Sequence, residues 1–256
     1  MGSPSVRIFQ APKLLDLASA DALSIALAER CRAFRLHGLK TAPEAFASSY
    51  DAEVKMPLDF TWQRLTNPRA RTFVAVRPKA GAEMPKGSTE EILLSPSIEW
   101  LGNIALLGPM RDHTAQKIAD MRAPANASAE IGYINDLVRR DLATGWENEE
   151  YGDTMHFFVG GMFVDLPARR MGVGLQLINA VLEDAKTRAR KEGLRALNVA
   201  IMVEEFNDAA RLLYEKAGFV AKGRSNFIQQ KRDLPEGEVQ RAERVALYME
   251  YRYSDC

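Results

Sequence analysis

Between positions 156 and 219 two apolar runs alternate with two helical periodicities, and this stretch constrains the fold most. Residues 156–165, H-F-F-V-G-G-M-F-V-D, are rich in β-branched and aromatic side chains and read as a strand. Beyond Gly174, Leu175, Leu177, Ile178, Val181, Leu182 and Ala185 recur at helical spacing. The connection R-R-M-G-V-G, residues 169–174, therefore sits in a strand-turn-helix unit suited to holding phosphate. Its glycines permit φ > 0 and close approach of an anion to the backbone. The N–H groups of the first helical turn, helped by the helix dipole, point at that anion. Arg169 and Arg170 add two cations at the same place. Two named phosphate motifs are excluded. The dinucleotide fingerprint needs a third glycine where Leu177 stands, and the P-loop needs Gly-Lys-Ser/Thr where Gly174 is followed by Leu175 and Gln176.

Downstream, residues 196–203, A-L-N-V-A-I-M-V, form a second buried-strand candidate. Asn207 is a good helix N-cap, Asp208 suits a first turn, and Gly218 ends the helix before a strand begins at Phe219. Asn207 and Tyr214 lie seven residues apart, about two helical turns, and so share a face.

These two runs resemble the GNAT superfamily of acetyl-CoA-dependent N-acetyltransferases. The pyrophosphate motif Arg/Gln-x-x-Gly-x-Gly/Ala is matched by Arg169, Gly172 and Gly174. The motif Asn-x-x-Ala-x-x-Leu-Tyr-x-x-x-Gly-Phe is matched by Asn207, Ala210, Leu213, Tyr214, Gly218 and Phe219. Together they cover roughly a quarter of the chain. The departure is Arg170, where the family often has glycine; the turn is expected to tolerate it by keeping φ negative there. The resemblance implies an α/β fold, a central twisted and mostly antiparallel sheet of about seven strands flanked by helices and splayed between the fourth and fifth strands.

It also implies a reaction: direct transfer of acetyl from acetyl-CoA to a primary amine of a small molecule through a ternary complex, with no metal. The amine loses a proton, the carbonyl is polarised, and the departing thiolate is protonated. On this resemblance Phe163 and Val164 contact the pantetheine through their backbone, and Arg169, Arg170, Met171, Gly172, Val173 and Gly174 hold the pyrophosphate. Asn207 touches the pantetheine arm and Tyr214 is the general acid at sulfur. His156 is the candidate general base, with Glu99, Glu150, Asp153 or water as rivals. Asn207 as a cap, Tyr214 as a core tyrosine and His156 as a satisfied polar residue are the plainer readings. A peptide N-acetyltransferase, a transferase for another acyl-CoA and a weak CoA-binding module stay open, as does monomer against homodimer.

The rest of the 256 residues reads as one domain with insertions at 77–97 and 108–153. Strands are expected at 6–10, 72–76, 98–107, 219–227 and 244–253, the last with Val245, Leu247, Met249 and Tyr251 on one side. A helix is expected over 16–36, ended by His37-Gly38. Residues 41–54 either line an acceptor pocket or pack Phe46 and Tyr50 into the core. The first insertion, rich in proline and glycine, is expected to be an exposed loop. The second, with a helix over 131–143, is placed to lie over the acceptor site as a lid or partner surface. Lys+Arg and Asp+Glu are both 34, so no net field favours nucleic acid or an anionic membrane. No apolar run approaches the roughly 18–20 residues of a membrane span. The start M-G-S-P-S-V lacks an apolar signal region. Two cysteines, Cys31 and Cys256, imply no disulfide framework, so a cytoplasmic protein is expected.

Overall fold

A computed structural model describes residues 5–46, 48–120, 138, 140–143, 152–230 and 241–254. In chain order the elements are β1 (Arg7–Gln10), α1 (Ala22–Thr41), α2 (Tyr50–Glu53), α3 (Leu58–Thr66), β2 (Ala70–Pro78), α4 (Thr89–Leu94), β3 (Ile98–Met110) and α5 (Asp112–Asp120). They continue with β4 (Thr154–Val164), α6 (Val173–Lys191), β5 (Ala196–Glu204), α7 (Asp208–Lys216), β6 (Val220–Gln230) and β7 (Arg241–Ser254). The seven strands pair in the order β1-β2-β3-β4-β5-β7-β6. β1 on β2, β5 on β7 and β6 on β7 are antiparallel, whereas β4 on β5 is parallel. The parallel ladder runs from Thr154–Ala196 to Val159–Ile201 and ends before either strand does, in keeping with the expected splay. This is the mixed α/β fold anticipated from the sequence.

Two compact units divide the chain: residues Met1–Leu106 with Gly161–Val181, and Leu107–Gly160 with Leu182–Cys256. In the first, Leu27, Ala28, Trp62, Leu65, Val74, Val76, Leu93 and Trp100 make a buried cluster. Both indoles keep a partner on burial: Trp62 Nε1 donates to Leu15 O and Trp100 Nε1 to Leu93 O, each at 3.0 Å. A second cluster of Leu39, Ala42 and Phe46 closes around Phe163 of β4. Phe46 is thus core, and Tyr50 packs partly buried against it.

Three expectations are corrected here. The first helix starts at Ala22, not at 16, because Asp21 supplies the cap, its carboxylate accepting from Ser24 N at 2.8 Å. It also runs through His37-Gly38 to Thr41. Gly38 stays helical, and its missing Cβ is what lets α1 approach the sheet: a Cβ there would lie 3.1 Å from the Phe163 ring. The segment 77–97 is not all loop. Ser88 and Glu91 form a reciprocal capping box that starts α4, and Leu93 is fully buried behind it.

In the second unit, β7 lies between β5 and β6 and is buried on both faces, with Ala246, Leu247, Tyr248 and Met249 all under cover. One-sided burial fails for a central strand covered on both sides. On one side Tyr248, Phe158 and Ala200 pack with Met110, Ile118 and Val138. On the other, Lys186 of α6 sits over the rings of Tyr251 and Tyr253, and the Arg188 guanidinium lies 5.0 Å from the Phe157 ring centre. The third strand extends to Met110 and α5 follows at once, neither of which was expected. The helix expected over 131–143 falls largely outside the described residues; 138 and 140–143 are helical.

Gly102 on β3 sets a close approach of two strands, since a Cβ there would stand 2.7 Å from Phe163 O. Gly102→Ala is expected to destabilise the protein by about 1–3 kcal/mol, measured by chemical denaturation. An unchanged midpoint would mean that β3 and β4 part without cost.

Candidate active site

The turn expected to hold an anion grows out of the end of β4. Asp165 caps the short turn that follows, its Oδ1 accepting from Leu166 N at 2.9 Å, and the same oxygen lies 2.9 Å from His37 Nε2 on α1. Pro167 suits the start of that turn, which spans Leu166–Ala168. Arg169 leaves it extended and donates Nε to Val164 O at 3.1 Å, tying the turn back to the strand. Arg170 then adopts φ 63° and Gly172 φ 77°. Arg170 was expected to keep φ negative, and it does not. Reversing the chain within four residues demands left-handed backbone at both positions, and arginine accepts it here at roughly 1–2 kcal/mol.

Helix α6 begins at Val173, one residue before the sequence suggested. Buried Val173, Leu177, Ile178 and Val181 anchor it, so its first N–H groups stand at the turn without partners inside the helix. Nothing crowds Gly172: the nearest atom to a Cβ built there is Gln176 Nε2 at 4.0 Å. Arg170 and Met171 are exposed, and Arg77 Nη1 reaches Met171 Sδ at 4.0 Å. Glu99, a rival base, is held by Arg77, whose Nε donates to its carboxylate at 2.7 Å. Phe163 is buried, and Val164 offers its carbonyl to Arg169. Gly161, at φ 60°, breaks the regular strand conformation as the Gly160-Gly161 pair suggested, and its carbonyl accepts from Asn103 Nδ2.

The remaining expected residues lie in the second unit. Asn207 caps α7, its Oδ1 accepting from Ala210 N at 3.1 Å. Tyr214 is buried, with the Phe219 ring 5.9 Å away, and burial raises the phenol far above the ordinary tyrosine range. It is therefore a neutral O–H donor at physiological pH. His156 occupies β4 opposite Asn198 of β5, which is in turn opposite Arg252 of β7. Its Nε2 lies 3.8 Å from Asp112 Oδ1, and its buried Nδ1 has no hydrogen-bond partner. Burial pushes the imidazole below its usual pKa, and the Arg252 guanidinium adds to this. The carboxylates of Asp112 and Glu250 oppose the shift without reversing it. Glu150 falls outside the described residues.

His156 opens into a cavity of about 430 Å³ whose wall includes Asp112, Gln116, Asn198, Glu250 and Arg252. Sequence reasoning did not single out these five. Asn198, the one polar residue inside a run of buried strand, and the alternating Glu250 and Arg252 were legible signals. Asp112 was not, because α5 falls in a segment read as insertion. Among the described residues no cluster of His, Cys, Asp or Glu could hold a metal, and no helix is long and apolar enough to cross a membrane.

The mixed α/β fold has counterparts among known proteins. Residues 131–219 match the Acetyltransferase (GNAT) family. A putative acetyltransferase from Acinetobacter baylyi ADP1 superposes with a TM-score of 0.51 at 10% identity, covering 98% of this chain and 93% of that one. A GNAT-family acetyltransferase from Streptococcus pneumoniae gives 0.49 at 14% identity over 97% and 99%. Arabidopsis thaliana NAA60, determined in complex with acetyl-CoA, gives 0.49 at 14% over 96% and 98%. No curated protein matches the chain. Over those residues the chain is similar to acetyltransferases of that family.

Because His156 is held below its ordinary pKa, the unfolded chain binds its proton more tightly, and stability falls as pH drops below 6.5. Replacing it, as His156→Gln, is expected to flatten the loss of stability between pH 7 and roughly pH 5, read from denaturation midpoints across that range. Parallel profiles would remove the buried neutral imidazole.

Proposed function

We propose that the protein transfers an acetyl group from acetyl-CoA to a primary amine of a small-molecule acceptor, directly and without an acetyl-enzyme intermediate. The observation that carries this reading is the turn from Arg169 to Gly174, with left-handed backbone at Arg170 and Gly172 and a helix beginning at Val173. Such a turn presents N–H groups and cations to a pyrophosphate and leaves room around Gly172 for it. The backbone of Phe163 and Val164 is assigned to the pantetheine, and Asn207 to its arm beyond its capping bond.

In the reaction the amine nitrogen attacks the thioester carbon, the C–N bond forms and the C–S bond breaks. His156, neutral through burial, takes the amine proton directly or through water. Tyr214 gives its phenolic proton to the departing thiolate; burial keeps that proton in place until the sulfur needs it. Small amines are favoured over peptides because zero net charge gives no field to gather a charged polypeptide tail.

Thermal-shift titration tests the cosubstrate, since a ligand that binds the folded state raises its apparent stability. Acetyl-CoA should stabilise the protein and NADH should not. Arg169→Ala combined with Gly172→Asp should erase the shift; an unchanged shift in that variant would sink the turn as the phosphate site. Tyr214→Phe should lower thiol release by roughly 10²-fold while leaving the acetyl-CoA shift intact. Full turnover in that variant would remove Tyr214 as the acid.

A further inference from the structure

β4 is the middle strand of the seven, yet Gly161 on it is exposed, and a Cβ built there meets nothing within 4 Å. Val159 and Phe163 on either side are buried, so the opening is local. We propose that Asn103, on the adjacent strand β3, receives the acceptor amine at this opening, its Oδ1 accepting a hydrogen bond from the amine N–H.

Chemistry sets the orientation of the amide. Gly161 O is a carbonyl and only accepts, so the atom 3.1 Å from it must be Nδ2, and Oδ1 is turned elsewhere. Among the described residues Oδ1 has no hydrogen-bond partner, and it is not one of the buried unpartnered side-chain atoms, so it keeps surface for a ligand. Burial along β3 alternates here: Gly102, Ile104 and Leu106 are covered, whereas Glu99, Asn103 and Ala105 are partly open. Glu99 is held by Arg77, and Ala105 has no polar side chain. Asn103 is thus the uncommitted polar group of that face. Its backbone setting is firm, because Leu101 O receives Asp165 N at 2.9 Å and Gly102 lies close against Phe163 O.

The Nδ2 edge of the amide is partly spent on Gly161, while the Oδ1 edge is wholly unspent, so a donor is favoured over an anion. An apolar group would leave Oδ1 unpaired. That Asn103 takes a donor stands on this geometry; that the donor is the acetyl-accepting amine rests on the transferase reading. Asn103 thereby becomes a specificity residue for the acceptor.

The test measures binding of n-butylammonium to the full chain by saturation-transfer NMR, with and without CoA, beside butyrate and butan-1-ol. The amine should bind saturably below roughly 10 mM and move the Asn103 side-chain ¹⁵N signals, which are identified by their loss in Asn103→Leu. That variant should bind the amine about tenfold more weakly and keep the acetyl-CoA thermal shift. The signals of the unaltered protein decide the matter even where the variant does not fold. No saturation, unmoved Asn103 signals, equal binding of butyrate or butan-1-ol, or unchanged affinity in folded Asn103→Leu would overturn the assignment. Failure of amine binding alongside an intact acetyl-CoA shift would overturn this inference and leave the transferase reading standing. Amine binding at Asn103 with no response to acetyl-CoA would do the reverse.

Discussion

Two residues in left-handed backbone, Arg170 and Gly172, let a strand become a helix within a few residues. Everything assigned to phosphate depends on that reversal. Without it the chain would run on past Asp165, and the first N–H groups of α6 would not stand beside two arginines. The reversal is braced on both sides. Upstream, Asp165 holds Leu166 N and His37, and Arg169 grips the carbonyl of Val164. Downstream, buried Val173 and Leu177 lock the helix so that its first turn cannot drift. The strain at Arg170 is small against this support, and it persists because neighbouring bonds over-determine it.

The second unit solves a different problem, which is keeping polar groups inside a sheet covered on both faces. Glu250 is fully buried and survives there because the Arg252 guanidinium engages one of its oxygens with two nitrogens. His156 takes the other route and sheds its charge. Tyr214 does likewise by retaining its proton. Burial thus sorts these three sites into one ion pair and two neutral donors or acceptors.

Most of the strand framework was legible in the sequence, because apolar runs such as T-F-V-A-V and A-L-N-V-A-I-M-V are too β-branched and too short to be anything else. The glycine turn after β4 and the Asn207 cap were equally plain, since turns and caps are written in a few residue types. The misses have physical causes. His37-Gly38 looked like a helix stop, but the glycine serves packing against Phe163 and the helix continues. A proline-rich composition hid α4, although its capping box was present in Ser88 and Glu91. The sign of φ at Arg170 and the wall of the cavity come from tertiary context that no local pattern encodes. Asn198 and Glu250 take their meaning from strands that meet only after folding.

The neighbours His37 and Gly38 carry one further implication. One residue ties α1 to Asp165, and the next lets the helix settle against the ring of Phe163. Successive helical positions differ by about 100° around the axis, so these two contacts together specify both the rotation and the axial position of α1. The helix is in effect keyed to the strand like a shaft in a slotted collar. A single residue gained or lost between Ala28 and His37 would turn Leu27 and Ala28 about 100° out of their buried cluster while His37 and Gly38 kept their places.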